Sequence, residues 1–93
     1  MLIKSRIHVL IYGRVQGVWF RASTKQKAEK LGITGWVRNT DDGNVEAIFE
    51  GFNKNIDEMI SWCKVGPPLA KVENIKIEKQ QPTNVFYNFS IKY

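Results

Sequence analysis

The spacing of hydrophobic residues changes twice from that of a strand to that of a helix, and this alternation constrains the fold more than any other feature. Residues 7–12 are rich in β-branched and other apolar side chains, which predicts a strand. A helix is predicted next, because apolar positions then recur at helical spacing: Phe20, Thr24, Ala28 and Leu31. Gly32 is suited to end it. With 93 residues, we expect a single domain, residues 1–93, around one core.

The middle of the chain predicts two adjacent strands. Thr34–Asn39 forms the first, and Asp-Asp-Gly at residues 41–43 is typical of a turn. Residues 44–50 alternate regularly, which predicts a strand with one buried face. The buried face carries Val45, Ala47 and Phe49, and the opposite face carries Glu46, Ile48 and Glu50.

A second helix is predicted after these strands. Asn55 and Glu58 have the spacing of a capping box, in which side chains bind the first free N–H groups of a helix. The apolar stripe of this helix consists of Ile56, Met59, Ile60 and Cys63. Gly-Pro-Pro at residues 66–68 ends it, since proline cannot continue a helix.

Two more strands complete the order. The fourth contains Val72, Ile75 and Ile77, with an irregularity near Asn74. Pro82 interrupts the chain, and a last, half-buried strand is predicted from the alternating residues Tyr87, Phe89, Ile91 and Tyr93. The order βαββαβ, with the last strand added to the sheet, predicts an α+β fold, the ferredoxin-like α/β sandwich: a mixed, mostly antiparallel sheet with two helices on one face.

The junction between the first strand and the first helix, residues 13–21 (GRVQGVWFR), contains two glycines and two arginines. A helix N-terminus presents unpaired N–H groups and the positive end of the helix dipole. Glycines let a backbone approach a ligand closely, and the Arg21 guanidinium can hold two oxygens of an anion. The alternative is a tight connection with solvated arginines. Arginine in a first helical turn opposes the dipole, which favours an anion site.

The residues that would carry most phosphate chemistry are missing around this junction. The loop lacks the Lys-Ser/Thr of nucleotide hydrolases, and Val15 stands where a cysteine phosphatase has its thiol. Cys63 lies in an apolar stripe, and His8 interrupts an apolar strand, which indicates structural roles. No cluster has metal-ligand spacing. A phosphate site without a nucleophile suits acyl phosphates, because their carboxylate leaving group departs without a general acid.

Charge and composition restrict the partners only loosely. The formal charge of +5 favours an anionic partner, and residues 1–8 do not have the pattern of a secretory signal. No apolar stretch approaches the roughly 20 residues that span a bilayer. A single cysteine forms no internal disulfide, which fits a reducing compartment or indifference to redox state, and we expect a cytoplasmic protein. We expect a monomer that binds neither membrane nor nucleic acid.

Three segments resemble the signatures of the acylphosphatase family: residues 13–21, residues 35–45 running on to Gly51, and residues 66–72. The resemblance implies hydrolysis of a carboxyl–phosphate bond to carboxylate and inorganic phosphate, without metal or organic cofactor. It implies that Asn39 holds the attacking water and that the substrate phosphate accepts the water's proton. Inorganic phosphate or sulfate would compete with the substrate. The implied phosphate-binding residues are Val15, Gln16, Gly17, Val18, Trp19, Phe20 and Arg21.

Trp19 has two interpretations. The favoured interpretation is packing at the helix entrance, and the alternative is that its bulk narrows access or stacks on an aromatic acyl group of the substrate. Arg14 is expected to strengthen the local field without touching phosphate. Strand alternation predicts that Arg38 points away from Asn39.

Two other functions remain open at this point. One is a phosphate-sensing domain without catalysis. The other is an RNA-binding module, which shares the βαββαβ order. The third strand lacks that module's aromatic pattern, and we expect Glu46 and Glu50 on its exposed face to repel a phosphate backbone.

Overall fold

The predicted order of helices and strands is confirmed. In a computed structural model that describes residues 3–93, the elements are β1 (Lys4–Arg14), α1 (Phe20–Lys30), β2 (Thr34–Asn39), β3 (Val45–Phe52), α2 (Asn53–Cys63), β4 (Lys71–Gln80) and β5 (Phe89–Lys92). Met1 and Leu2, which belong to the predicted domain, lie outside the described residues. No helix in the described part is long and apolar enough to cross a membrane.

The five strands form one mixed sheet in the order β4-β1-β3-β2-β5. Only β2 and β5 are parallel, and the other neighbours are antiparallel. Val45, at the start of β3, lies opposite Ile11 of β1 on one side and Asn39 of β2 on the other. The C-terminal ends of β1 and β2 therefore lie at the same end of the sheet.

The core lies between the helices and one face of the sheet. The alternating apolar residues of β3 are buried there, as predicted, together with alternating residues of β1 and one stripe from each helix. The buried side chains are Ile7, Val9, Ile11, Val45, Ala47, Phe49, Phe20, Ala28, Ile56, Met59 and Cys63. Burial of this continuous apolar surface supplies most of the driving force for folding.

The predicted capping box is wrong, because α2 begins two residues before Asn55. β3 continues to Phe52, which is extended and flanks the helix without a side-chain cap. The N–H of Asn53 donates instead to the carbonyl oxygen of Ile3 over 2.8 Å. A backbone acceptor ahead of β1 thus satisfies a donor at the helix start that sequence reasoning assigned to a side chain.

The two outer strands of the sheet are β4, which is irregular, and β5, which is short. Tyr12 lies opposite Asn74 and Gly13 opposite Val72, so Glu73 is an extra residue, and the irregularity predicted near Asn74 is confirmed. β5 is shorter than predicted, since it begins at Phe89.

Glu50 is buried and does not lie on an exposed face, so the predicted polar face of β3 is wrong at this residue. Its side chain is only 3% exposed. Its two carboxylate oxygens accept the N–H groups of Thr83 (3.1 Å) and Asn84 (2.7 Å), and the Arg6 guanidinium lies 3.7 Å away. Glu50 therefore fastens the segment that leads from β4 into β5. Ile48 on the same face is also buried.

We predict that Glu50→Ala lowers the free energy of unfolding by about 2 kcal/mol, because two backbone N–H groups lose their charged acceptor. Glu58→Ala is the matched control: it removes only the exposed pair with Lys27, which contributes about 0.5 kcal/mol. Urea denaturation measures both effects. Equal losses in the two variants would contradict the anchoring role of Glu50.

Candidate active site

The loop between β1 and α1 has a backbone conformation suited to binding an anion. Gly17 (φ +72°) and Trp19 (φ +67°) are left-handed, whereas Val18 between them is not. Alternation of this kind turns successive N–H groups towards one point. A Cβ at Gly17 would meet no atom within 4 Å, so the backbone conformation, and not lack of space, favours glycine there.

The N–H groups of this loop are not used by the rest of the described chain. No backbone N–H of residues 15–19 donates to a backbone oxygen of residues 3–93. The first helical hydrogen bond runs from the N–H of Ser23 to the carbonyl of Trp19, over 3.0 Å. The N–H groups at the start of α1 are free as well, as in any helix. The loop and the helix end together present a cluster of positive dipoles.

Side chains hold this loop in place from two directions. Val15, Val18 and Phe20 are buried in the core, so they offer a ligand only their backbone. Gln16 points the other way, and its Nε2 donates to the carbonyls of Thr40 (2.8 Å) and Asn44 (2.9 Å). These two bonds tie the loop to the turn that follows Asn39.

Arg21 is the second residue of α1 and is half-buried. Its guanidinium has no carboxylate partner within residues 3–93, and the first turn of the helix contains no acidic residue. The guanidinium lies over the ring of Tyr93, with its Cζ 5.3 Å from the ring centroid. A cation beside the positive helix end is unfavourable unless an anion joins it.

Asn39 is the last residue of β2. Its Oδ1 is buried and accepts no hydrogen bond, and no other buried side-chain nitrogen or oxygen in the described chain lacks a partner. A carboxamide oxygen in this setting is suited to accept a hydrogen bond from a water or a substrate. Arg38 points away, as predicted, and its Nε lies 2.5 Å from a carboxylate oxygen of Glu46.

Strand register and side-chain contacts bring these groups to one end of the sheet. Arg38 lies opposite Lys92 in the parallel β2–β5 pair, so Tyr93 lies at the same end of the sheet as Asn39. Tyr93 contacts Arg21, and Gln16 reaches the turn beyond Asn39. The loop, the guanidinium and the carboxamide therefore occupy one neighbourhood.

The residues judged structural from sequence do not join this site. His8 lies 2.6 Å from Glu46, on the sheet face opposite the helices. Burial raises the pKa of Glu46, but hydrogen bonds from His8 and Arg38 outweigh it and lower the pKa below its ordinary value. Burial raises the pKa of the Cys63 thiol to about 12, which keeps it protonated at neutral pH. Within residues 3–93, no group of three His, Cys, Asp or Glu side chains could hold a metal ion.

Sequence reasoning missed one wall of the site. A pocket of about 320 Å³ adjoins the loop, and it is lined by Gly17, Trp19, Arg21, Ala22, Ile91 and Tyr93. Packing of Trp19 at the helix entrance, the favoured interpretation, is wrong, because its side chain is 74% exposed. The local sequence does not predict that Ile91 and Tyr93 line this pocket, because the position of β5 depends on its parallel pairing with β2.

Comparison with known proteins identifies the family. The acylphosphatase family model matches residues 7–91. The chain belongs to the acylphosphatase family. An acylphosphatase of Methylococcus capsulatus is 49% identical over 92% of this chain and 94% of its own length. The sequence resemblance is thereby confirmed, and this acylphosphatase is a hydrolase that acts on acyl phosphates.

Solved structures support the same assignment. An acylphosphatase from Coxiella burnetii superposes with a TM-score of 0.91 at 38% identity, covering 96% of this chain and 93% of that one. The acylphosphatase from Bacillus subtilis gives a TM-score of 0.91 at 35% identity over the full length of both chains. The ferredoxin-like α+β fold is thus confirmed.

We predict that Gln16→Ala lowers kcat by about 10- to 100-fold, because the loop between β1 and α1 and the turn after Asn39 lose the bonds that align them. The loop amides remain, so the inhibition constant of inorganic phosphate should rise by no more than about threefold. Steady-state kinetics with acetyl phosphate measure both. An unchanged kcat, or a loss confined to phosphate affinity, would contradict this positioning role.

Proposed function

We propose that this acylphosphatase cleaves the carboxyl–phosphate bond by direct attack of water. The backbone from Val15 to Phe20 and the guanidinium of Arg21 hold the phosphate, and Asn39 holds the water. The observation that carries the proposal is the unpaired Arg21 beside free N–H groups at a helix N-terminus. This arrangement concentrates positive charge with no internal anion to balance it.

The phosphate site acts mainly through fixed dipoles. The N–H groups are held by the buried side chains of Val15, Val18 and Phe20, so they do not have to reorganise when charge develops on the phosphoryl oxygens. Arg21 adds a planar fork that binds two oxygens, which an ammonium group cannot do. Together they stabilise the transition state more than the substrate.

The water step requires little from the protein. Asn39 Oδ1 accepts one hydrogen bond from the water, which leaves a lone pair of the water oxygen directed at phosphorus. As the new P–O bond forms, the bond to the acyl oxygen breaks and the carboxylate departs with its electron pair. The proton from the water goes to a phosphate oxygen. A carboxylate is a weak base, so no general acid is needed.

The wider setting is proposed on sequence grounds. We propose that residues 1–93 act as one domain, as a cytoplasmic monomer, with inorganic phosphate or sulfate as competing anions. The net charge of +5 favours attraction of an anionic substrate. No residue of the mechanism requires a metal or an organic cofactor, so hydrolysis should persist in EDTA.

We predict that Arg21→Ala and Asn39→Ala each lower kcat/KM for acetyl phosphate by about 10²- to 10³-fold, assayed in EDTA. The two should differ in phosphate inhibition: Arg21→Ala weakens it, whereas Asn39→Ala acts on kcat. Arg21→Lys should restore only part of the loss, because lysine lacks the fork.

Asn74→Ala, at an exposed position on β4, is the matched control and should retain full activity. Full activity in the Arg21 or Asn39 variants would contradict their roles. Abolition of wild-type activity by EDTA would contradict the metal-free mechanism. Phosphate binding without turnover would favour the phosphate-sensing alternative.

A further inference from the structure

The pocket beside the phosphate loop has an apolar wall that the phosphate chemistry does not use. The pocket is lined by Trp19, Ile91 and Tyr93, and also by Gly17 and Arg21, which belong to the proposed anion site. Its volume of about 320 Å³ falls at the lower end of the range for small-molecule sites, about 300–1,000 Å³.

The backbone conformation of Trp19 is unusual for a large residue. Its φ of +67° is left-handed, a region that bulky side chains rarely adopt and that glycine occupies without strain. Its ring gains little from the fold in return, because the side chain is 74% exposed. Backbone strain of this kind is typical of ligand sites. A contact outside the chain would account for a tryptophan at this position.

Tyr93 is also displayed outwards. It is fully exposed, yet one face of its ring lies 5.3 Å from the Arg21 guanidinium. The pocket is therefore lined by two exposed aromatic side chains and by the arginine that is proposed to bind phosphate. In an acyl phosphate, the organic group is joined to the phosphoryl group through a single carboxyl unit. A substrate whose phosphate lies on the loop must place its organic group close to this pocket.

We propose that the pocket binds the acyl group of the substrate, and that Trp19 and Tyr93 make the enzyme prefer aromatic acyl phosphates to acetyl phosphate. The inference rests on the proposed function of the loop and Arg21. Flat rings gain from stacking against tryptophan and tyrosine in addition to the burial of apolar area, whereas a methyl group has no ring to stack and little apolar area to bury.

The test compares kcat/KM for benzoyl phosphate with kcat/KM for acetyl phosphate, so that general damage to the loop cancels in the ratio. Trp19→Gly should lower this ratio by about 3- to 10-fold, and Tyr93→Ala by about 3-fold. Trp19→Phe should preserve most of it, because the ring remains. Glycine is compatible with the left-handed backbone, so Trp19→Gly is expected to fold.

Tyr87→Ala is the matched control, because Tyr87 is 97% exposed and lies outside the pocket; its ratio should equal that of the wild type. An unchanged ratio in both Trp19→Gly and Tyr93→Ala would overturn the proposal, even if kcat/KM falls equally for both substrates. Failure of the proposed function is distinguishable, since Arg21→Ala would then leave acetyl phosphate hydrolysis intact.

Discussion

The candidate site depends on one electrostatic arrangement: a helix N-terminus whose free N–H groups continue into a loop of further free N–H groups. The buried side chains of Val15, Val18 and Phe20 fix this backbone, and the left-handed residues Gly17 and Trp19 direct it. Arg21 adds a full positive charge without an internal partner. The packed core thus holds in place a group of N–H donors whose partner would be a bound anion and not a protein oxygen.

The sheet then determines what lies beside that anion site. Because Val45 lies opposite both Ile11 and Asn39, the strands carrying the loop and the carboxamide end together. Gln16 fixes their spacing through two carbonyls, and Glu50, far from the chemistry, fastens the segment that leads into β5. The arrangement of the candidate site in this chain therefore depends on distant contacts as well as on the loop.

Local patterns predicted the order of elements, the glycine-containing turn into α1 and the opposite directions of Arg38 and Asn39, since each depends on neighbouring residues in sequence. Non-local contacts account for the errors. Glu50 is buried because the segment before β5 folds over it, and the N–H of Asn53 bonds to Ile3 where a capping box was expected. Trp19 gave an ambiguous signal, because an aromatic residue at a helix entrance usually packs inwards. The role proposed for Asn39 came from family resemblance, whereas anion binding by Arg21 was already expected from its place in the first helical turn.

The central claim is that main-chain N–H groups and one guanidinium bind the phosphoryl group. A crystal structure with inorganic phosphate at saturating concentration tests it most directly. We expect phosphate oxygens about 2.7–3.1 Å from the N–H groups of residues 15–20, with the Arg21 fork on two of them. Phosphate bound elsewhere, or loop N–H groups directed away from it, would contradict the account.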